Sequence, residues 1–569
     1  MHYLALATDY DGTLATRGAV DPKTVAALER LKATGRMAIL VTGRQLPDLF
    51  AVFPRLDLFT MVVAENGGIL YQPAERQETA LAAEPPARFV ERLEAIGVAP
   101  LAVGRTIIAT WEPHQTRVLE TIRELGLELQ IIFNKGAVMV LPPGVNKASG
   151  LAAALDRLGL SPINVVGIGD AENDHAFLDL CGCAVAVDNA LPMVKEAADL
   201  VTAAPRGAGV AELIGRIVAT DLADIDRADG RYRVPLAAVD DGGEAPRLAA
   251  RGTNLLVAGG SGSGKSTFTA GLLERMGACG FQFCIIDPEG DYDALETAVV
   301  LGDGRRSPSA AEVMELLEAP GRNVVVNLLG VPFDDRTSAF ADLAARLSEL
   351  RLRTARPHWL VVDEAHHMLP EGWDRAPELL PENVTGLVLV TVHPNRLARP
   401  VLDRVDLAVG IGAGGREALR DFARTIGRPV REDLPALESG EMLLWDRHRT
   451  EGPRHCRVIP PTGERRRHVR KYAAGDLGDH SFHFRGPGDR LNLRVQNLNL
   501  FVQIAEGIDD ETWMHHLRAG DYSRWFREAI KDDGLAEEAA GIEADRELTP
   551  ADSRQRIREA IERRYTAPA

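Results

Sequence analysis

Short apolar runs that stop abruptly at Asp, Gly or Thr recur from the start of this chain to about residue 450. Examples are YLALA before TDYDGT, RMAILV before TGR, MVVA before ENGG, INVVGIG before DAEND, and LLVA before GGSGSGKST. Stretches with helical spacing separate them, and alternating strands and helices of this kind build parallel sheets. In VDPKTVAALERLKATG, Asp21 can cap, Pro22 suits the first helical position, and Val25, Leu28 and Leu31 share one face. Asp and Gly are poor strand formers, so each run ends where its polar residues begin. In an open α/β sheet that carboxyl end is where ligands bind. The pattern predicts an α/β chain.

With 569 residues, the chain has room for about three to four domains. Residues 1–218 read as a three-layer parallel-sheet domain, with a small α+β cap inserted at about 75–145 that has its own strands, RTIIATWE and AVMVLP. Residues 219–250, acidic and mixed (VDDGGEAPR), read as a connector. A second three-layer parallel-sheet domain is expected at 251–460, and a mostly helical accessory domain at 461–569. Within the latter, LNLRVQNLNLFVQIAEGI and WMHHLRAGDYSRWFREAIKDDGLAEEA read as amphipathic helices with Trp513, Leu517, Trp525 and Phe526 in their core. His515 and His516 are adjacent, so they point to different helix faces and make poor joint metal ligands. The basic run ERRRHVRK, with Arg465, Arg466, Arg467, Arg470 and Lys471, reads as a solvated linker.

TDYDGT taken alone could be an Asp-Gly turn. Its company argues otherwise. VTGR ends a strand with the Thr42 hydroxyl and the exposed backbone of Gly43. GVNKAS puts Lys147 at a helix start, where the dipole disfavours positive charge, so an anionic partner is expected. VVGIGDAENDHAFL ends a strand with Asp170, followed by Asn173 and Asp174. The four carboxylates Asp9, Asp11, Asp170 and Asp174 would repel unless a hard divalent cation sat among them, and oxygen ligands suit Mg²⁺. One carboxylate can attack phosphorus, a neighbour can protonate the leaving alkoxide, and lysine and hydroxyl can neutralise the phosphoryl oxygens.

DYDGT, VTGR, NKASG and GDAENDHAF resemble, in order, the four motifs of the haloacid dehalogenase (HAD) superfamily of phosphatases. The cap between the second and third motifs, with AENGG, resembles the Cof-type and sucrose-phosphatase-like branch. The resemblance implies a Rossmann-like fold with Asp9 as nucleophile and Asp11 as general acid/base. It makes Thr42, Gly43, Lys147 and Asn173 the phosphate-site residues, and Asp9, Asp11, Asp170 and Asp174 the Mg²⁺ residues. It also implies a phosphorylated sugar or similar small metabolite as substrate; neither TWEPHQTR nor IIFNKG selects among these.

The second centre is LLVAGGSGSGKST, a strand, a glycine-rich loop and a helix start that fit the P-loop pattern. Gly259, Gly260, Ser261, Gly262, Ser263, Gly264, Lys265, Ser266 and Thr267 would wrap the phosphates of ATP, with Ser266 on Mg²⁺. In HWLVVDEAHHM, Asp363 would complete the Mg²⁺ shell and Glu364 would polarise the attacking water. GLVLVTVHP ends a further strand at Thr391 and His393, a place to sense the terminal phosphate, and FQFCIID and NVVVNLLG supply two strands more. IIDPEGDY, with Asp287 to Tyr292, resembles the HerA/FtsK-like P-loop motor ATPases, and the likeness extends over roughly 250–415. It implies a RecA-like fold, assembly into a homo-oligomer or ring, and an arginine from a neighbour, for which Arg396, Arg399 and Arg404 are candidates. His393 stands where that group usually has Gln, and there is no room for an N-terminal β-barrel. Both departures bear on DNA translocation more than on ATP hydrolysis.

A net charge of −17 lacks the basic footprint of a protein that lives on nucleic acid, which disfavours that partner. Five scattered cysteines without zinc spacing fit reduced thiols in a cytoplasm. No secretion signal and no apolar run near ~20 residues is seen, so no membrane partner is expected. Three functions fit these features. The first is a Mg²⁺-dependent phosphomonoesterase joined to an ATPase that regulates or assembles it. The second is a HerA-like nucleic-acid motor with an end-processing phosphatase. The third is a signalling protein switched by ATP, against which Glu364 argues because a pure switch does not need it.

Overall fold

The computed structural model describes residues 2–565 except 224, 226–231, 240–244, 250–251, 294, 374–384, 429, 431–432, 451, 463–476, 478–480 and 531, and the side chains of 489 and 533. The basic run ERRRHVRK lies outside the described residues. Two compact units are present, Met1–Ile459 and Pro460–Ala569.

The first unit holds two open sheets. One has eight strands in the order Leu200–Val201, Cys183–Ala186, Val165–Gly169, Ala5–Thr8, Met37–Val41, Met61–Ala64, Ile69–Gln72, Gln77–Ala80. The first six run parallel and the last two antiparallel. Ala5–Thr8, Val165–Gly169 and Cys183–Ala186 are buried at every position, which is why their sequences are continuous apolar runs rather than alternating ones. Helix Pro22–Ala33 starts as its sequence dictates: the Asp21 side chain accepts from Lys23 N, and Thr24, Ala27, Leu28 and Leu31 are buried.

The cap is a four-stranded antiparallel sheet in the order Ala102–Val103, Ile108–Trp111, Ala137–Leu141, Gln130–Asn134. Phe89 and Leu93 from helix Ala87–Ala95 and Val118 and Ile122 from helix Gln115–Glu124 form its small core with Ile108 and Val140. Strand Gln77–Ala80 falls inside the stretch expected to be cap, yet it pairs with Ile69–Gln72 at the edge of the main sheet. Its polar sequence, QETA, is that of an exposed edge.

The second sheet has ten strands in the order Ala237–Ala238, Arg454–Val458, Glu441–Asp446, Leu407–Ile411, Asn254–Ala258, Leu387–Thr391, Trp359–Val362, Phe283–Asp287, Val324–Asn327, Val299–Leu301. It is parallel from Leu407–Ile411 onward and antiparallel before it. The two sheets, with the helices of the second unit, bear out the expected α/β architecture. The stretch read as a connector is partly built into this lobe. Arg233–Pro235 pairs with Arg247–Ala249, and Val234, Leu236 and Leu248 are buried beneath the second sheet.

The two lobes of the first unit touch at the start of strand Val165–Gly169. Asn164 Nδ2 donates to His2 O (2.8 Å) on one side and to Ala355 O (3.0 Å) on the other. Ile163 joins the apolar cluster of the second sheet, and Tyr232 Oη donates to Leu180 O at 2.7 Å.

The second unit packs five helices, from Leu498–Gly507 to Pro550–Tyr565, around a core containing Trp513, Leu517, Trp525 and Phe526. LNLRV, expected to be helical, instead forms strand Leu493–Val495, paired with Phe482–Phe484. His516 is buried; Asp521 Oδ2 lies 2.8 Å from its Nδ1, and Nε2 accepts from Arg485 N at 3.0 Å.

Two candidate active sites

At the carboxyl edge of the first sheet, Asp9, Asp170 and Asp174 are buried, with oxygens within 4.8 Å of one another. Each follows a central strand or the turn after it. Lys147, 2% exposed, starts helix Lys147–Leu158 behind the Asn146 capping box and reaches Asp9 Oδ1 at 2.5 Å and Asp174 Oδ1 at 2.6 Å. That answers why a lysine occupies a position the dipole disfavours. Burial, then the Asp174 charge, push the Asp9 carboxyl up to about 7 against the pull of Lys147. Burial works against charge on Lys147, but the two aspartates raise it above its ordinary value. Asp174 Oδ2 accepts from Asp170 N (2.8 Å) and Ala171 N (3.0 Å), fixing its second oxygen. A side chain at Gly169 would strike Asp174, and one at Gly12 (φ +91°) would strike Asp170.

The remaining expected residues are placed less uniformly. Thr42 is buried, and its hydroxyl accepts from Arg44 N at 3.1 Å. Asn173 Nδ2 donates to Asn66 Oδ1 at 3.1 Å rather than into the cluster. Asp11 is exposed, and its carboxylate is held by Arg44 Nε (2.6 Å) and Nη2 (2.8 Å). Among the described residues the acidic group therefore has three members, and Asp11, expected as a fourth carboxylate ligand, is not one of them. The chain turns at Gly12 and sends this side chain to solvent, where Arg44 holds it.

Sequence reading missed Arg44, Asn189, Glu65 and Lys135. Arg44 was visible in VTGR, and Glu65 in AENGG. Asn189 Nδ2 donates to Gly12 O at 2.9 Å. Glu65, buried at positive φ, accepts from the backbone N–H groups of Arg105, Thr106 and Ile107 and from the Thr106 hydroxyl, clasping the cap to the core. Lys135, at the tip of a cap hairpin, lies 2.7 Å from Asp170 Oδ2. Three buried hard oxygen donors with mutual repulsion and incomplete lysine compensation are a donor set that fits Mg²⁺.

The second centre lies at the carboxyl edge of the other sheet. Gly262 (φ +72°) and Gly264 (φ +98°) shape the loop that leads into helix Lys265–Ala278. Lys265 Nζ donates to Gly260 O at 2.9 Å, and burial lowers its proton affinity against the pull of Glu364 and Asp363. Asp363 is buried at the end of strand Trp359–Val362, pushed up to about 8 by burial, then by Glu364 and Asp287. Glu364 sits at φ +42°, its carboxyl raised by burial and then by Glu289.

His366 Nδ1 is 3.1 Å from Thr391 Oγ1 and 3.3 Å from Glu364 Oε2, and burial, followed by its histidine neighbours, pushes its ring down to about 4. His393 donates its backbone N–H to Thr391 Oγ1 (3.0 Å), and its ring lies 5.4 Å from that of His366. The side chain beside Glu364 is thus His366, which the sequence reading passed over. Asp287 accepts from the backbone of Glu289, Gly290, Asp291 and Tyr292, a turn that brings Asp291 Oδ2 to 3.4 Å from Ser266 Oγ. These oxygens and the open loop fit a nucleotide with Mg²⁺.

Of the arginine candidates, Arg399 is committed to Asp403, Thr425 O and Ile426 O within its own chain. Arg404 lines a cavity of about 390 Å³ with Asn254 at the opposite edge of the sheet.

An aspartate cluster with a buried lysine on one parallel sheet, and a phosphate loop with an Asp-Glu strand end on another, define a two-centre phosphoryl-transfer enzyme. Comparison with known proteins resolves both halves. The family described as haloacid dehalogenase-like hydrolase matches residues 6–96 and 106–214, and the HerA helicase central domain matches 252–362. The phosphoglycolate phosphatase of Methanothermobacter thermautotrophicus is 34% identical over 232 residues, which cover 38% of this chain and 98% of that one. The phosphoglycolate phosphatase of Aeropyrum pernix is 31% identical over 221 residues, 37% of this chain and 92% of its own. A haloacid dehalogenase-like hydrolase structure from Bacteroides thetaiotaomicron is 19% identical with a TM-score of 0.33, covering 38% of this chain and 99% of its own. The chain belongs to the haloacid dehalogenase-like hydrolases, carrying a HAD phosphatase domain fused to a HerA-type P-loop ATPase domain.

Proposed function

We propose that this protein is a Mg²⁺-dependent phosphomonoesterase of small phosphorylated metabolites whose ATPase half regulates or assembles it. The observation that carries the reading is Lys147 bridging Asp9 and Asp174 inside a buried carboxylate cluster beneath a cap. Asp9 attacks phosphorus and expels the alcohol, forming an aspartyl-phosphate that water then hydrolyses. Asp11 leaves Arg44 to protonate the departing oxygen and later activates the water. Lys147, the Thr42 hydroxyl and the backbone of Gly43 offset charge on the phosphoryl oxygens. Mg²⁺, held by Asp9, Asp170 and Asp174, would supply Lewis-acid charge neutralisation at the phosphoryl group.

Sugar phosphates are the general expectation for the Cof-like branch. The phosphoglycolate phosphatases matched above favour a short phosphorylated acid instead. In the second half, Gly259 to Thr267 and Asp363 hold ATP and Mg²⁺, Glu364 polarises water, and His393 and His366 stand near the terminal phosphate. Copies of the chain associate through this half, in a ring if each site borrows an arginine. Nucleic acid is not the favoured partner, and a cytoplasmic setting suits five scattered cysteines without zinc spacing.

The test is phosphate release from phosphoglycolate, sugar phosphates and end-phosphorylated oligonucleotides, with and without ATP and with Asp9→Asn as control. Turnover of a small phosphoester that ATP alters and Asp9→Asn abolishes is the expected result. Turnover confined to oligonucleotide ends would replace this reading with a nucleic-acid motor that processes ends.

A further inference from the structure

The cap sends one cation into the phosphatase site. Strands Gln130–Asn134 and Ala137–Leu141 form a hairpin closed by Lys135 (φ +48°) and Gly136 (φ +85°), a two-residue turn with both centres left-handed. Register pairs Ile132 with Met139 and Asn134 with Ala137, so Asn134, Ile132 and Met139 share a face of the cap sheet. That face meets the catalytic core: Met139 Sδ lies 3.8 Å from where a side chain on Gly43 would begin. At the tip, Lys135 Nζ reaches Asp170 Oδ2 at 2.7 Å and stands 3.0 Å from the corresponding point on Gly12, in the loop after the nucleophile.

Most hairpin lysines are solvated surface groups. This one is held in place by a carboxylate that is 2% exposed, while its own side chain stays 47% exposed. An ammonium has three donors, and Asp170 takes one of them. Lys147 already serves Asp9 and Asp174 from the core side. Lys135 enters from the cap, the side toward which a leaving group extends when its phosphoryl is seated on the core.

We propose that Lys135 determines specificity. It selects leaving groups that carry a carboxylate near the ester oxygen: short phosphorylated hydroxy acids rather than neutral sugar phosphates. The inference rests on the phosphatase reading above and names the group that chooses its substrate. A charge-assisted hydrogen bond to a carboxylate is worth about 10- to 100-fold in discrimination.

The experiment compares kcat/KM for 2-phosphoglycolate and for 2-hydroxyethyl phosphate, which replaces the carboxylate with a neutral group of similar size. It uses the full chain with Mg²⁺ as wild type, Lys135→Met and Lys135→Arg. Met and Arg carry the same backbone strain as Lys at this φ, and Lys135→Arg keeps the cation beside Asp170, so it controls for the loss of that ion pair. The expected wild-type ratio favours the acid by about 10-fold or more; Lys135→Met collapses it toward one, and Lys135→Arg retains it. Calorimetric binding of 2-phosphoglycolate to Asp9→Asn, with and without Lys135→Met, should show the same loss without turnover. A ratio unchanged by Lys135→Met, or a wild type that prefers the neutral ester, overturns the assignment and leaves the phosphatase standing. A wild type inert toward every phosphomonoester, p-nitrophenyl phosphate included, overturns the phosphatase reading and this one with it.

Discussion

The two centres solve the problem of buried acid in opposite ways. In the first sheet, three buried aspartates share two lysines, one from the core and one from the cap, so charge is partly compensated within the chain. In the second, Lys265 turns back onto its own loop carbonyl, while Asp363 and Glu364 crowd each other beside Asp287 and Glu289. One centre sets cations of its own against its acids; the other leaves its acids facing one another, with its lysine turned to a carbonyl. Pre-set charge is what lets a site stabilise a transition state without reorganising. A site left uncompensated instead makes its order depend on the ligand.

The sharpest break between the centres is chemical. Asp9→Asn should lower phosphate release from phosphoesters on the order of 10^4- to 10^6-fold and leave ATP hydrolysis unchanged. If both activities fall together in a steady-state assay, the centres are not separate. Next comes stability. Lys147→Met strips the bridge from Asp9 and Asp174 and should cost about 3–5 kcal/mol in denaturant unfolding of the metal-free protein. Lys265→Met removes a lysine whose ammonium donates to the Gly260 carbonyl and forms no ion pair among the described residues, and should cost far less. Equal losses would erase the contrast drawn here.

Glu364→Gln should reduce ATP hydrolysis by about 10²- to 10³-fold with phosphatase turnover retained, read as ADP formation. The smallest effect is in pH. Asp9 and Asp363 sit near 7 and 8, above the ordinary carboxylate range, so the fold favours their protonated forms. That contribution is complete below about pH 4 and is lost as pH rises through 7 and 8. Melting in chelator should therefore fall between pH 6 and 8.5, and Mg²⁺ should restore more at the higher pH. A Mg²⁺ effect that is flat with pH would count against buried, metal-seeking carboxylates.

The parts legible in the sequence are those where chemistry and backbone coincide. Asp9, Asp170 and Lys265 sit at strand ends or helix starts, and strand ends show as the places where apolar runs stop. Lys135 was hidden because its meaning depends on where the cap sits, and the half-buried run QIIFN gives a weak strand signal. Asp11 misled because its neighbour Asp9 does join the buried acidic cluster, while the turn at Gly12 sends Asp11 to Arg44. In the supposed connector, Val234, Leu236 and Leu248 are buried, but the acidic VDDGGEAPR between their strands masked them. LNLRV failed for a different reason: its apolar spacing suits a short strand and a helix equally.

The contact at Asn164 sets a distance. Strand Val165–Gly169 begins there and ends at Asp170; Ala355, its acceptor, lies just before strand Trp359–Val362, which ends at Asp363. Asp170 thus stands a strand of five residues, roughly 17 Å, beyond the seam, and Asp363 stands beyond strand Trp359–Val362 and the residues that join it to Ala355. Asn164 lies at the foot of the first strand, and Ala355 on the chain that leads into the second. A displacement passed through this contact would move a strand packed between neighbours, so phosphatase control through it would be felt by the whole sheet at once.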